Sequence, residues 1–252
     1  MATPESESFV RTFARGLRVI EVMGQSTGRH TIAQLSEACG LPRTVVRRLL
    51  LTLIELGFVK TDEKDYWLTP KVLRLGMTYL YTLPFWRQSQ QVLEELGTRV
   101  QQSCAVSVLD DGEIVYIQRF HTKRILAFSP STGSRLPAYA VSMGRVLLSG
   151  LPPAQLDEYL AGTVFAPLTP RTETDPERLR EAIAQVREQG HAWSDAEYDE
   201  SICGLAVPIR GADGAIVAAI NVSLISGEFS QEGAIAEFLP LLKRAAARLR
   251  ES

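Results

Sequence analysis

Four side chains that can bind nucleic acid lie close together near the start of the sequence. They fall within the stretch LPRTVVRRLLLTLIELGFV and are Arg43, Thr44, Arg47 and Arg48. A guanidinium group can form paired hydrogen bonds to a phosphate or to the edge of a guanine, and a threonine hydroxyl can bond to either. The cluster therefore indicates a DNA contact, and its ordinary alternative is a solvated helix face.

The apolar residues of the same stretch indicate a helix that presents these four side chains outward. On a helical wheel the apolar residues share one side, namely Val46, Leu49, Leu50, Leu53 and Leu56. The arginines and the threonine occupy the opposite side, in the first two turns. In the second helix of a helix-turn-helix, these N-terminal positions reach the base edges of the major groove.

Two helices and a tight turn are predicted before this stretch. Thr31 is a suitable N-cap for the apolar-faced segment IAQLSEAC, and Gly40 follows as its C-terminal glycine. Pro42 is expected at the first position of the next helix. An earlier helix ends at Gly24 and has its apolar residues at Phe13, Leu17, Ile20, Val22 and Met23. A helix, a turn and a second helix make a helix-turn-helix, which favours the DNA contact over the solvated face.

A charged turn between two apolar runs follows Gly57. The segment FVKTDEKDYWLT predicts a two-stranded hairpin, or wing, centred on TDEKD. Lys60 and Lys64 can contact phosphate from this hairpin, or they can be plain surface lysines. Residues 1–70 are thus predicted to form a winged helix-turn-helix DNA-binding domain.

Residues 71–87 are predicted to form a linker helix. Within PKVLRLGMTYLYTLPFW, helical spacing is kept by Val72, Leu75, Tyr79 and Leu80. This apolar face can pack against a partner subunit or against its own chain, and the pattern favours neither.

Residues 88–252 alternate predicted strands and helices. CAVSVLD and EIVYIQRF form a hairpin across Asp111-Gly112, GLAVPIRG and AIVAAINVSL form another, and RILAFS is a further strand. The loop STGSRLP leads into a predicted helix AYAVSMGRVLLSG, and residues 233–250 form the last helix. Strands interrupted by helices around two hairpins predict an α+β fold with a mostly antiparallel sheet.

Charge and composition support a two-part chain. The 252 residues are 45% hydrophobic and 22% charged, without an apolar run of membrane-spanning length. Residues 1–87 carry 12 Lys/Arg and 8 Asp/Glu, a net charge of +4. Residues 88–252 carry 15 Lys/Arg and 21 Asp/Glu, a net charge of -6. This split is typical of a nucleic-acid module on a separate body. The acidic N-terminus argues against a secretory signal, and three distant cysteines fit a reducing cytoplasm.

The sequence gives little support for an enzyme. Paired catalytic carboxylates or a cation site could come from Asp195, Glu197, Asp199 and Glu200. Four acids in one loop are more often solvated, and the three histidines are scattered. Neither a metal-ligand spacing nor a phosphate-binding or nucleophile-elbow motif occurs in the sequence. We therefore expect no catalytic residues, no metal and no cofactor.

Five blocks of the sequence together resemble the IclR family of transcriptional regulators. They are FARGLRVIEVM, LPRTVVRRLLLTLIELGFV, LTPKVLRLGMTYLYTLP, GSRLPAYAVSMGRVLLS and CGLAVPIRGADGAIVAAINVS. The similarity covers residues 9–250 and points to the branch that governs aromatic-acid catabolism by the β-ketoadipate route, from protocatechuate and 4-hydroxybenzoate. It implies a GAF-like effector-binding domain over residues 88–252 and a homodimer or homotetramer.

The resemblance also implies an effector site between the sheet and the loop and helix that follow the third strand. The matching positions are Phe128, Leu136, Ser142, Met143, Ser194, Gly204, Asn221 and Ser223. Relatives can carry an aspartate at the position of Ser194 and a cysteine at that of Gly204, which leaves the effector's identity open. A small carboxylate is expected, and one of Arg119, Arg124 and Arg135 could pair with it unless all three are surface residues.

The leading interpretation is a cytoplasmic, ligand-responsive transcriptional regulator of aromatic-acid catabolic genes. Its partners would be a partly palindromic operator in double-stranded DNA and the small carboxylate. The alternative is a small-molecule enzyme with an appended DNA-binding domain, which would need a nucleophile, base or metal set. A third interpretation, an architectural nucleic-acid protein, fits poorly with the acidic larger part.

Overall fold

The structure is a computed structural model that describes residues 8–26, 28–121 and 130–250. The chain divides into two compact units, residues 1–82 and residues 83–252. Among the described residues, no helix is long and apolar enough to cross a membrane.

Helices α1 (Arg11–Gly24), α2 (Ile32–Cys39) and α3 (Arg43–Glu55) form the predicted helix-turn-helix. Thr31 caps α2 in a capping box with Gln34, and Gly40 ends it with φ of 64°. Pro42 differs from the prediction because it is the N-cap of α3 rather than its first residue. Its carbonyl already accepts hydrogen bonds from the amides of Val45 and Val46, so the helix begins at Arg43.

The core of the first unit uses only part of the face predicted on α1, and Ile20 packs against it. Val19, Val22 and Met23 are buried, whereas Phe13 is 67% and Leu17 42% exposed. Apolar residues on α1 surround more than half of the helix, so spacing alone does not say which of them pack inward. The stripe predicted on α3 is buried except at Leu56, which follows the last residue of the helix.

The predicted wing is present as strands β1 (Val59–Thr61) and β2 (Tyr66–Leu68). Gly57, with φ of 77°, reverses the chain after α3, and the amide of Phe58 donates back to the carbonyl of Leu53. His30 adds a bridge to Tyr66 on the outer side of β2.

The linker begins with a 3-10 turn at Pro70–Val72 and continues as α4 (Leu73–Leu80). Its start is tied to the end of α3. Thr69 Oγ1 donates to the carbonyl of Gly57 at 2.7 Å, and Lys71 Nζ donates to that of Leu56 at 2.6 Å. The described part of the chain buries no residue of α4.

The second unit is built on a six-stranded antiparallel sheet in the order β5-β4-β3-β8-β7-β6. The strands are β3 (Ser103–Asp110), β4 (Glu113–Phe120), β5 (Arg135–Pro137), β6 (Ala192–Asp195), β7 (Ile202–Arg210) and β8 (Ile216–Ile225). The two predicted hairpins are β3–β4 and β7–β8. The short strands β5 and β6 were not predicted, and the strand expected in RILAFS lies outside the described residues.

Helices cover both faces of this sheet. One face carries α5 (Trp86–Val100) and α9 (Gln231–Arg250). The other carries α6 (Ser142–Ser149), on which α8 (Pro176–Gln189) packs, with α7 (Pro153–Gly162) against α8. Helix α5 begins at Trp86, so residues 86–87 of the expected linker belong to it.

The helix predicted over AYAVSMGRVLLSG begins later than expected. Ala138–Ala140 form a 3-10 turn, Val141 is extended, and α6 starts at Ser142. The turn folds back so closely on α6 that a Cβ at Gly144 would lie 2.0 Å from the carbonyl oxygen of Ala138. Gly144 therefore permits the backbone contact that sets where α6 begins.

Candidate functional site

The face of α3 opposite the core carries the four predicted DNA-contacting side chains. All four are exposed, while Val46, Leu49 and Leu50 on the other side are buried. Burial of the apolar stripe thus fixes the direction in which the cluster at Arg43, Thr44, Arg47 and Arg48 points.

The wing places Lys60 and Lys64 at the surface, among acidic neighbours. The turn is held by the Asp62 carboxylate, which accepts the amides of Lys64 and Asp65, and Glu63 is also exposed. Arg29 pairs with Asp62 and lies over the ring of Trp67 at 4.2 Å. The turn is therefore ordered, but its carboxylates weaken its attraction for phosphate.

A cavity lies between the sheet and the start of α6 in the second unit. Two rows of residues on one face of the sheet supply several of its lining side chains, as the strand register shows. One row runs across Ser194, Gly204, Ser223 and Ser103, and the next across Arg119, Ala105, Asn221 and Ala206. Positions two residues apart on a strand share a face. Because most of these residues are small, they leave space under α6, in a cavity that opens to solvent.

Seven of the eight positions implied by the resemblance line this one cavity. They are Leu136, Ser142, Met143, Ser194, Gly204, Asn221 and Ser223. Phe128, like Arg124, lies outside the described residues. Residues from β5, α6, β6, β7 and β8 thus converge on one space.

Two polar side chains of the cavity have buried atoms without hydrogen-bond partners among the described residues. Asn221 is 4% exposed; its Nδ2 donates to Ser223 Oγ at 3.1 Å, and its Oδ1 accepts no hydrogen bond there. The Nε and Nη1 of Arg119 are buried and likewise have no acceptor in the described chain. Burial lowers the pKa of Arg119, but a guanidinium remains charged. A buried donor or acceptor without a partner is unfavourable unless a ligand or water satisfies it.

The other charged groups near the cavity are already paired. Arg145 is 8% exposed and forms an ion pair with Glu197. Burial raises the pKa of Glu197, and the neighbouring Arg145 acts in the opposite direction. Arg135 binds Asp110 and Glu113. Of the two described arginines among the three considered, Arg135 is occupied, and Arg119 keeps two donors open to a ligand.

The acidic loop is used in structural contacts. Asp195 binds Arg171 and Ser226, and Asp199 caps the amide of Ser201. No group of His, Cys, Asp and Glu in the described parts of the chain could hold a metal ion.

The start of α6 meets β6 at the cavity wall. Ser194 Oγ accepts the amide of Ser142 at 3.0 Å and so occupies the first amide of the helix. The apolar wall includes Tyr116, Leu136 and Met143, and Arg119 lies 4.4 Å over the ring of Tyr116. A guanidinium whose Nε and Nη1 have no acceptor in the described chain, beside an apolar wall, suits a small organic anion.

A DNA-binding helix-turn-helix in one unit and a ligand-sized cavity in the other define a ligand-responsive transcriptional regulator. Comparison with known families agrees. The IclR helix-turn-helix domain matches residues 12–63, and the profile named bacterial transcriptional regulator IclR C-terminal matches residues 77–250. The chain belongs to the IclR family. Both profiles describe DNA-binding regulators, which does not support the enzyme alternative.

Similar proteins include regulators of aromatic-acid catabolism. The Pca regulon regulatory protein of Pseudomonas putida is 39% identical over 96% of this chain and 83% of its own length. The p-hydroxybenzoate hydroxylase transcriptional activator of Acinetobacter baylyi is 32% identical over 97% of this chain and 92% of its own length. A double mutant of the PobR inducer-binding domain from Acinetobacter, solved with 3-hydroxybenzoic acid, is 31% identical, covers 67% of this chain and 97% of that one, and has a TM-score of 0.61.

Proposed function

We propose that this regulator controls genes of aromatic-acid catabolism, of the β-ketoadipate type, in response to a small aromatic carboxylate. The observation that carries the proposal is the guanidinium of Arg119 beside an apolar wall, because its buried Nε and Nη1 have no acceptor among the described residues. The names of the two relatives and the aromatic acid held by the similar inducer-binding domain support the same effector class.

In the proposed complex the carboxylate accepts hydrogen bonds from Arg119, and the ring lies between Leu136 and Met143. Asn221, Ser142 and Ser223 supply further hydrogen bonds. A ligand that satisfies both Arg119 and Asn221 removes two unfavourable buried groups at once. Ser194 and Gly204 shape the far wall of the cavity.

DNA is bound through α3 in this proposal. Arg43, Thr44 and Arg47 lie in the first two turns and are placed to read base edges, while Arg48, Lys60 and Lys64 contact phosphate. Because it binds DNA, the protein is proposed to act in the cytoplasm. We keep the functional division into residues 1–70 for DNA binding, 71–87 for the linker and 88–252 for effector binding.

The regulator is proposed to act as a homodimer or homotetramer on a partly palindromic operator, because each half-site needs its own recognition helix. The half-exposed side chains of Leu75 and Tyr79 on α4 support this arrangement. Apolar residues of this size are normally covered when several share one helix face.

Calorimetry with 4-hydroxybenzoate, protocatechuate, benzoate and benzamide tests the effector class. We expect the carboxylates to bind and benzamide, which has the same ring without the charge, to bind far more weakly. Asn221→Ala should weaken the binding of 4-hydroxybenzoate about tenfold or more, while operator affinity without effector stays unchanged. If no aromatic carboxylate binds the parent protein, the proposed effector class is wrong.

A further inference from the structure

The backbone conformation at residue 204 does not require glycine. Eight glycines in the described chain have positive φ, and Gly204 is not among them. Its place in the middle of β7 is also unusual, since glycine weakens a strand interior. What Gly204 contributes is therefore the space that a side chain would occupy.

That space lies inside the cavity. A Cβ at residue 204 would stand 3.1 Å from Ser142 Oγ, 3.5 Å from the carbonyl oxygen of Val222 and 3.8 Å from Asn221 Nδ2. Even a methyl group there would project between the start of α6 and Asn221. It would crowd the polar corner that holds the unpartnered Asn221 Oδ1.

The corner lies far from Arg119. In the strand order β4-β3-β8-β7, Arg119 and Gly204 are three strands apart, which separates the strands by roughly 14 Å. Asn221 is on the strand between them, next to Gly204. A ring that binds Arg119 through its carboxylate and extends along the sheet toward β7 has Asn221 and Gly204 ahead of its opposite edge.

We propose that Gly204 determines which aromatic acids the cavity accepts, by leaving room for a polar substituent at the ring position opposite the carboxylate. The substituent, a hydroxyl in the simplest case, donates to Asn221 Oδ1. Benzoate does not reach this corner, so its binding does not depend on the missing side chain. The inference rests on the proposed function because it takes an aromatic carboxylate as the effector.

The test is calorimetry of the full-length parent and Gly204→Ala with benzoate, 3-hydroxybenzoate and 4-hydroxybenzoate. One added methyl group in a filled pocket changes affinity by about tenfold to a hundredfold. We expect Gly204→Ala to lose that much affinity for 4-hydroxybenzoate and to keep benzoate within about threefold. Gly162→Ala is the matched control, because a Cβ at this end of α7 meets nothing within 4 Å.

A second variant separates crowding of the ligand from damage to the protein. Gly204→Ala/Ser142→Ala removes the oxygen that the new methyl group approaches most closely, and Ser142→Ala alone is its reference. The double variant should still discriminate against 4-hydroxybenzoate relative to Ser142→Ala. Equal losses for benzoate and 4-hydroxybenzoate, or no loss for either, in both Gly204 variants would overturn the role of Gly204 while leaving the effector class intact. A parent protein that binds no aromatic acid would overturn both proposals.

Discussion

Arg119 and Asn221 flank the same residue, Ala105, from opposite sides: Ala105 pairs with Arg119 on β4 and with Asn221 on β8. Each of the two polar side chains keeps buried atoms without a partner in the described chain. A donor of two hydrogen bonds and an acceptor of one thus line one cavity from strands that lie two spacings apart, roughly 10 Å between backbones.

Removal of the Arg119 charge should abolish the preference for a carboxylate. Arg119→Gln is expected to weaken benzoate binding about tenfold to a hundredfold, since a hydrogen bond to a charged group contributes about 1.5–3 kcal/mol. Binding of neutral benzamide should change little. Arg135→Gln is the control, because Arg135 is occupied by Asp110 and Glu113. If calorimetry shows the same loss of affinity for benzoate and benzamide, Arg119 stabilises the fold and does not bind the carboxylate.

Truncation of Arg47 should reduce operator binding by roughly tenfold or more, because a paired arginine–guanine contact is worth about 1–3 kcal/mol. Lys64→Ala should have a smaller effect, since Asp62, Glu63 and Asp65 surround that ammonium in the wing. Arg178→Ala, an exposed arginine on α8, is the control. Gel-shift titration at one fixed salt concentration measures all three variants. If Arg47→Ala binds the operator with unchanged affinity, Arg47 on α3 does not contact the bases.

Charge placed on the linker should dissociate the oligomer. Leu75→Glu with Tyr79→Glu puts two carboxylates on a face that the proposal buries between subunits, and desolvating them is unfavourable. Light scattering should report monomers with weak operator affinity. Val164→Glu adds a charge at a residue that is 89% exposed and should leave the assembly intact. If the linker variant keeps its oligomeric state, α4 does not form the subunit interface and its apolar face acts within one chain.

Breaking the buried ion pair should destabilise the second unit in a pH-dependent way. Arg145→Met leaves Glu197 buried without its partner, a loss of about 3–5 kcal/mol near neutral pH. The pKa of Glu197, already raised by burial, rises further without Arg145. The folded state then binds more protons than the unfolded state, so stability falls as pH rises through the interval between the two pKa values.

The deficit in Tm should therefore be larger at pH 7.5 than at pH 5. Arg145→Met/Glu197→Leu, which removes both charges, should recover most of the loss. Equal deficits at the two pH values, together with no recovery in the double variant, would show that Arg145 stabilises the fold by packing alone.

Local patterns predicted the parts of the fold that local physics determines. The capping residue Thr31, the terminal Gly40 and the hairpin turn at Asp111-Gly112 each act within a few residues, and each was read from sequence. The three-residue β5 and four-residue β6 escaped prediction because they are defined by pairing with β4 and β7 rather than by their own composition.

The site was only partly readable for the same reason. Arg119 and Arg135 look alike in sequence, and both were considered as partners of a carboxylate. Only the folded sheet shows that Arg135 is neutralised by Asp110 and Glu113 while Arg119 faces a cavity. Burial of Arg145 was likewise not predicted, because its partner Glu197 is distant in sequence. Side-chain partners across the sheet are a property of the tertiary structure.

The hydrogen bonds from Thr69 and Lys71 to the carbonyls of Gly57 and Leu56, just after α3, have a mechanical consequence. They join the base of the linker to the end of the recognition helix without a flexible segment between them. A torque applied to α4 would therefore be passed to α3 as a rotation, and would not be absorbed by a hinge. In an assembly joined through α4, a rotation of a few degrees there would change the distance between two recognition helices. It would therefore change the spacing of the operator half-sites that the two helices can bind together.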